Sequence, residues 1–587
     1  MAIQSKHILG NDPSTLVLDS LKGVCELNHQ LALDEANRVV YIASPDPSKV
    51  ALICGGGSGH EPAHAGFVGD GILTAAVCGN VFASPNPRQV RRAIELVGNG
   101  KGTLIIVKNY TGEILNFGLA KEQFAARHPD KADKVKFLVV GDDVAVGRTQ
   151  GSIVGRRGLV GTVLVYKIAG ALARRGASID EVYDIAETVT ENLGTVGVGL
   201  EHCHVPGTAT SESHLTENEI EIGMGIHNEA GNKRVSPVPP MDQLIDQLIT
   251  MIISTEDKDR SFVPFRGGNQ DQVIVLVNNL GGLSELELGS ISGGVSRRLK
   301  AKGLSVQRLI SGTFMTSLNM PGFSITLLLL PEEQYTRNLI LSLLDEPTGT
   351  PGWKWSSCVP PARLQSSPKI PITVSATKKS EVPLKAPDPP AFNSAVERAC
   401  NAIIRAEPEI TRMDTIAGDG DCGLTLKGGA TAVLQTIEEG KVSGEDIVSS
   451  LIVISQAAEE QMGGTIGALF SIFFSALTQG LRSSSTEAID WSGALDSALD
   501  RLYTYTRARR PSRTLVDPLS AFVESIVSGK KLAEAVGAAT TAAEQTKDVE
   551  AKAGRSAYVE GESLKKEQVT DPGAWGVKLI LEALIQQ

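Results

Sequence analysis

Val50–Gly69 reads VALICGGGSGHEPAHAGFVG, an unbroken apolar run that enters a cluster of glycines, a serine and two histidines. An apolar run without alternation is the pattern of a strand covered on both faces. The pattern recurs in GTLIIVKN from Gly102, KFLVVGDD from Lys136, QVIVLVNN from Gln272 and FSITLLLL from Phe323. Helical stretches such as GLVGTVLVYKIAGALARRG and MDQLIDQLITMIIS lie between them. Buried strands alternating with helices predict an α/β fold over residues 1–345. Several of the runs end in Gly, Asn or Asp, and open α/β folds collect ligands at the C-terminal ends of strands.

The texture changes twice further on. Residues 346–390 are rich in Pro, Ser and Lys and read as an extended linker. Residues 391–587 show a helical period and abundant Ala, as in NSAVERACNAIIRAE and SGEDIVSSLIVISQAAEEQ, which predicts an all-α domain of about eight helices.

Bulk properties exclude several function classes. The chain has 587 residues and a net charge of -11, so a basic nucleic-acid-binding face is not expected. Its seven cysteines are scattered and form no C-x-x-C pair, which points to reduced thiols, a cytoplasmic location and no Cys-based zinc site. The start, MAIQSKHILGND, has no signal-like apolar core. GALFSIFFSAL from Gly467 is too short to span a bilayer, so no membrane partner is expected.

Four motifs carry candidate chemistry. In CGGGSGHEPAHAGFVG, backbone amides of the glycine loop can point at phosphate or hydroxyl oxygens. No Lys-Ser or Lys-Thr follows as in a P-loop, and His60 holds the third glycine position of a dinucleotide fingerprint. The competing reading is a tight turn with His60 capping a helix. In IVKNYTGEILNFG, Lys108 and Glu113 either orient hydroxyls and move a proton or form a surface ion pair. EIEIGMGIHNEAG contains His227, the last of nine histidines, which is a packed residue, a metal ligand or a reacting group. His202 and His204 lack further ligands at zinc spacing and read as structural.

The fourth motif, MDTIAGDGDCGLTLKGG, places Asp414, Asp419 and Asp421 among glycines. Gly418, Gly420 and Gly423 match G-x-G-x-x-G formally, but no β-run precedes them. An EF-hand is excluded because Ala430 stands where the loop needs Glu. Either the aspartates serve a helix N-terminus, or they are hard ligands for Mg²⁺ shared with substrate phosphates. With no histidine after His227, any metal in the helical half must sit on oxygen.

GGGSGHEP, VKNYTGE, GIHNEAG, AGDGDCG, GGTIGALF, GRSAYVEG and DPGAWG occur in order along nearly the whole chain. Together they resemble the single-chain, ATP-dependent dihydroxyacetone (glycerone) kinases of the fungal type. The resemblance implies a substrate domain of two α/β subdomains and a nucleotide domain built as an eight-helix barrel. It implies that His227 forms a hemiaminal with the ketone of dihydroxyacetone, that His60 and Glu113 act as acid/base partners, and that Gly57, Ser58 and Lys108 contact substrate. Asp414, Asp419 and Asp421 would hold two Mg²⁺ ions on ATP. Gly464, Thr465, Arg555, Asp571 and Gly573, with the RTLVDPLSAF segment around Asp517, would line the nucleotide pocket. A homodimer is implied, its domains paired within one chain or exchanged between chains. The sequence departs from the family pattern at Glu113 for Asp, Ile466 for Ser, Asn228 for Gly and Ala230 for Pro. Glyceraldehyde is a further expected substrate. Cyclisation of FAD to FMN and a non-catalytic triose sensor are the alternative activities.

Overall fold

The computed structural model describes residues 15–98, 100–206, 208, 214–267, 270–355, 383–417, 420–462, 464–483, 489–551 and 567–586. The chain divides into two compact units, Met1–Lys369 and Ile370–Gln587.

The first unit is built on two six-stranded sheets. The first contains β1 (Leu31–Asp34), β2 (Val39–Ile42), β3 (Ala51–Ser58), β4 (Ala75–Val81), β5 (Thr103–Lys108) and β6 (Val135–Val140), in the order β1-β2-β4-β3-β5-β6. Strands β4, β3, β5 and β6 run parallel. The second contains β7 (Leu193–Gly199), β8 (Ile220–Ile222), β9 (Lys233–Val235), β10 (Gln272–Asn279), β11 (Ser305–Gly312) and β12 (Gly322–Leu329), in the order β11-β10-β12-β7-β8-β9. It is antiparallel except where β10 meets β11. The five apolar runs singled out in the sequence form β3, β5, β6, β10 and β12. Four of them are buried almost throughout, whereas β6 lies at a sheet edge and is half-exposed along much of its length.

Helices cover the sheets: α1 (Leu16–Glu26), α2 (Pro87–Val97), α3 (Thr111–Arg127), α4 (Gly161–Arg174), α5 (Ile179–Glu191), α6 (Met241–Ile253), α7 (Glu285–Ala301) and α8 (Gln334–Asp345). Helix α4 is the central one. It is apolar nearly all round, and all but Leu172 and Arg174 are buried, as expected of a helix enclosed by protein. Asp142, just past β6, fixes its start. The Asp142 carboxylate accepts from the amides of Leu159 (2.5 Å) and Gly161 (2.9 Å) and from Thr195 Oγ1 (2.6 Å) on β7. One buried carboxylate thus joins both sheets to the positive end of α4. Near its other end, α4 approaches the backbone so closely that a Cβ on Gly170 would lie 2.3 Å from the Ile72 carbonyl oxygen.

Residues 346–355, at the head of the stretch expected to be a linker, lie on this unit. The Gly352 amide donates to the Gly66 carbonyl (2.7 Å), and buried Trp353 packs against Phe314.

The second unit has eight α-helices among the described residues: α9 (Pro389–Ala417), α10 (Cys422–Glu438), α11 (Ile447–Gln461), α12 (Gly464–Ser483), α13 (Trp491–Tyr505), α14 (Val516–Val527), α15 (Leu532–Gln545) and α16 (Pro572–Ile585). Each packs on its neighbours in sequence, and α16 packs on α9, closing the ring. Asp446, Asp490 and Asp571 cap α11, α13 and α16 by accepting amides of their first turns. Helices α9, α10, α11, α12 and α16 line an apolar cavity of about 240 Å³. No described helix is long and apolar enough to cross a membrane. The six described cysteines are all free.

Two helical glycines should respond in opposite directions to a methyl group. Gly170→Ala is expected to destabilise the first unit by about 1–3 kcal/mol through overpacking. Gly118→Ala in α3 meets nothing within 4 Å and should stabilise it by about 0.5–1 kcal/mol. Urea unfolding of the full chain reads both, and shifts of the same sign would contradict the packing assigned to α4.

Candidate active site

The glycine-rich end of β3 leads to His60, which is fully buried. Gly59 turns the chain at a φ of +105°, a value suited to glycine. A strap after β11 then holds the loop. The Leu318 amide donates to Gly59 O (2.7 Å), and the Thr316 amide donates to His60 O (3.1 Å). Ser317 Oγ donates to Ile226 O (2.6 Å), just before His227. The strap is itself held by buried Asn278 at the end of β10, whose Oδ1 accepts the amides of Phe314 and Met315. Residues from both sheets therefore meet at one point.

His60 Nδ1 lies 2.8 Å from Thr316 O. A carbonyl only accepts, so this nitrogen carries the hydrogen. His60 Nε2 faces His227 Nε2 at 3.0 Å. On the far side, His227 Nδ1 is 2.8 Å from Glu229 Oε1, and the His227 amide donates to Glu229 Oε2 (2.9 Å). One carboxylate grips both the ring and the backbone of His227. Each Nδ1 faces an acceptor, so a hydrogen bond between the two Nε2 atoms needs one shared proton. Aromatic rings close the sides. Phe82 stacks on His60 (5.2 Å) and meets His227 edge-on (5.0 Å), as does Tyr110 (4.9 Å).

Electrostatics follow from this packing. Burial, with the nearby charge of Lys108, pushes His60 well below the usual histidine range. Partial burial would raise the Glu229 carboxyl, but its hydrogen bond and charge interaction with His227 outweigh that and bring it down to about 2.

The turn carrying His227 explains one departure from the family pattern. Asn228 has a φ of +64°, and Asn tolerates this left-handed region better than most residues. Its side chain accepts from Cys203 N (2.9 Å) and donates to Cys203 O (3.0 Å). Ala230 is exposed beyond this clamp.

Lys108 ends β5, and Glu113 lies in the first turn of α3. Both are buried, which removes the surface ion-pair reading. Lys108 Nζ has no hydrogen-bond partner among the described residues. Burial lowers its pKa, opposed chiefly by the charge of Glu113. Glu113 Oε1 lies against the glycine loop, 3.2 Å from where a Gly56 Cβ would stand. Gly57 lies against the Phe82–Ala83 backbone. Ser58 Oγ donates to Gly79 O (2.9 Å). His60 caps no helix. His202 stacks on His214 (3.8 Å), in keeping with a structural role.

In the second unit, buried Asp414 lies in the last turn of α9, and its Oδ2 accepts from Cys422 N (2.9 Å) at the start of α10. Asp421 holds the cap position of α10 without bonding its amides. Asp419 and Arg555 lie outside the described residues. Among the described residues, no three His, Cys, Asp or Glu side chains could hold a metal ion. The acidic oxygens of Asp414 and Asp421 nevertheless suit a hard cation such as Mg²⁺. Gly464 and Thr465 open α12. Ile466, where the resemblance leads one to expect Ser, packs against the apolar interior of the ring. Asp571 Oδ1 accepts from Ala574 N (2.8 Å), with Gly573 beside it in the first turn of α16. Burial pushes the Asp571 carboxyl up to about 7, and the charges of Arg513, Asp517 and Asp414 all reach it. Asp517 closes the preceding turn by accepting from Ser512 N and Thr514 N, each at 2.9 Å.

Sequence reasoning passed over Glu229, Tyr110, Phe82 and Thr316. Glu229 was visible as an acid two residues after His227. Nothing in the sequence marks Thr316, whose role rests on a backbone carbonyl.

A Dak1 domain matches residues 22–352, and a DAK2 domain matches residues 416–586. The chain is 41% identical to dihydroxyacetone kinase of Pichia angusta, over 100% of this chain and 98% of that one. It is 42% identical to dihydroxyacetone kinase 2 of Saccharomyces cerevisiae over 97% of each. It is 38% identical to human triokinase/FMN cyclase over 97% of each. The crystal structure of the C. freundii dihydroxyacetone kinase in complex with AMP-PNP and Mg²⁺ superposes with a TM-score of 0.62 at 30% identity, covering 99% of each chain. By these matches along its whole length, the chain belongs to the dihydroxyacetone kinase family, with a Dak1 and a DAK2 domain in one polypeptide.

Proposed function

We propose that this chain transfers a phosphoryl group from ATP to a hydroxyl of dihydroxyacetone, giving dihydroxyacetone phosphate, and accepts glyceraldehyde as a second triose. The observation that carries the reading is the commitment of His227 Nδ1 to Glu229, which leaves Nε2 directed at His60.

A triose offers little surface for binding, so noncovalent affinity is limited. A reversible bond from His227 Nε2 to the ketone carbon supplies affinity and excludes glycerol, which has no carbonyl. As that bond forms, the C=O π pair moves onto the oxygen, which takes up a proton from solvent relayed at His60 Nε2. The ring of His227 then carries the positive charge, facing the Glu229 carboxylate. Buried Lys108, whose ammonium lies over the Tyr110 ring and has no hydrogen-bond partner among the described residues, would hydrogen-bond a substrate hydroxyl, and the Gly57–Ser58 loop would lie against it. Glu113, against the same loop, would take the hydroxyl proton during transfer. Its extra methylene relative to Asp fits a carboxylate that reaches over Gly56.

In the helical unit, Asp414, Asp419 and Asp421 would hold two Mg²⁺ ions, which neutralise phosphate charge when bound. Gly464, Thr465, Arg555, Asp571 and Gly573 would line the nucleotide pocket. We read residues 1–345 as the substrate domain, 346–390 as the linker, of which 346–355 pack on the substrate domain, and 391–587 as the nucleotide domain. The protein would be a cytoplasmic homodimer, its domains paired within one chain or exchanged between chains. Similarity to triokinase/FMN cyclase supports a second reading, cyclisation of FAD in the nucleotide domain. Incubation with FAD and Mn²⁺ tests it.

Coupled ADP release should be fast with dihydroxyacetone and glyceraldehyde and absent with glycerol. Equal release with all three would contradict the kinase reading. His227→Ala should lower kcat/KM for dihydroxyacetone on the order of 10³-fold or more. Glu229→Gln should cost about 10²–10⁴-fold, as loss of an imidazole-orienting carboxylate does, with KM for ATP unchanged. Because the Glu229 carboxyl is held near 2, below its ordinary 4.5, its contribution to stability is whole above pH 4.5 and is lost as pH falls towards 2. Glu229→Gln should therefore leave the shape of the pH–rate profile between pH 5 and 7 unchanged; a limb in that range that vanishes in the variant would place its titration on Glu229. Asp414→Asn and Asp421→Asn should each raise the Mg²⁺ concentration needed for half-maximal rate, read by magnesium titration.

A further inference from the structure

Behind Glu229 lies a second layer of charge. Arg157 precedes α4 and is mostly buried, with side-chain exposure of 16% against 1% for its partner Asp143. Its Nε and Nη2 both lie 2.7 Å from Asp143 Oδ2, and Nη2 also donates to Gly223 O (2.6 Å), at the start of the His227 turn. Two of the three guanidinium nitrogens are thereby committed. The third, Nη1, faces the space left by the missing side chain of Gly225. A Cβ there would stand 2.0 Å from Glu229 Oε2 and 2.6 Å from Arg157 Nη1. Carboxylate and guanidinium therefore confront each other across one glycine.

The anchor behind them is rigid. Asp143 Oδ1 accepts from Ala145 N (2.9 Å), and the Arg157 carbonyl accepts the amides of both Asp142 and Asp143. Tyr110, edge-on to His227, has a buried hydroxyl without a hydrogen-bond partner among the described residues, and the charges of Glu229 and Arg157 both reach it. Opposite charges succeed one another from Asp143 to Arg157 to Glu229, whose carboxylate in turn holds the His227 ring and amide. Opposite charges in a partly dry space attract strongly enough to select one orientation of a carboxylate.

We propose that Arg157, anchored by Asp143, is a positioning residue for triose capture, fixing the Glu229 carboxylate that directs Nε2 of His227 at the ketone. The inference rests on the reading of His227 as the tethering nucleophile. Arg157 touches neither triose nor nucleotide and acts through Glu229. Gly225 is part of the device, because any side chain there would force the two charges apart.

The test is a double-mutant cycle in the full-length kinase. Arg157→Met should lower kcat/KM for dihydroxyacetone about 10–100-fold, the usual cost of losing a group that orients a site residue, while KM for ATP stays unchanged. In a Glu229→Gln background the same substitution should cost less than about 2-fold, because its effect passes through the missing carboxylate. Arg157→Lys, which keeps the charge without the fork, should recover part of the loss. Equal losses in both backgrounds, or a parallel change in KM for ATP, would overturn the proposal. If Arg157→Met does not fold, Gly225→Ala leaves the Arg157–Asp143 pair in place and must reproduce the triose-selective loss; normal triose kinetics in that variant would also overturn it. His227→Ala separates the two ideas. Unchanged triose kinetics there refute the nucleophile reading, whereas loss there without loss in Arg157→Met refutes only the role of Arg157.

Discussion

The 3.0 Å contact between Nε2 of His60 and Nε2 of His227 is the constraint on which the substrate unit depends. Each histidine hangs from a different sheet. The contact holds only if the end of β3, the strap after β11 and the turn after β8 keep their relative places. The bonds of the strap to Gly59, His60 and Ile226 do that. Every outer ring nitrogen is assigned to an acceptor, so the one unassigned position between the rings is where chemistry is available. The fold spends buried polar groups on this outcome: Asn278 holds the strap, Asp142 joins α4 to both sheets, and Glu229 grips His227 twice.

Burying such groups is costly unless each finds a partner. Asp142 and Asp143 do so, the first with amides and a threonine hydroxyl, the second with an arginine. Lys108 Nζ and the Tyr110 hydroxyl find no hydrogen-bond partner among the described residues. Both stand beside the histidine pair. Unsatisfied buried donors at that place fit the proposed role of the pocket in binding a small polar ligand. The helical unit repeats the economy with carboxylates: Asp414, Asp517 and Asp571 each accept backbone amides at a turn or helix start and share one electrostatic neighbourhood.

Much of this was legible in the sequence, for stated physical reasons. Apolar runs marked the buried strands because both faces are covered. Helical periodicity marked the ring of eight helices because each buries one face. The order of motifs along the chain identified the family. What escaped was small or indirect. Strand β7, LGTVGVG, carries three glycines and little apolar bulk, yet every position is buried. The contribution of Thr316 is a carbonyl, which any residue has. Arg157 belongs to a loop whose link to His227 exists only in three dimensions. Asn228, a departure from the family pattern, became intelligible once its left-handed backbone and its two bonds to Cys203 were seen.

The central claim is that His227 Nε2 bonds to the triose carbonyl carbon. It is tested most directly by nuclear magnetic resonance of the protein saturated with dihydroxyacetone isotopically labelled at that carbon. The account expects a bound resonance in the region of tetrahedral carbons, lost in His227→Ala. A bound resonance that stays in the ketone region, or a tetrahedral one that survives in His227→Ala, would contradict it.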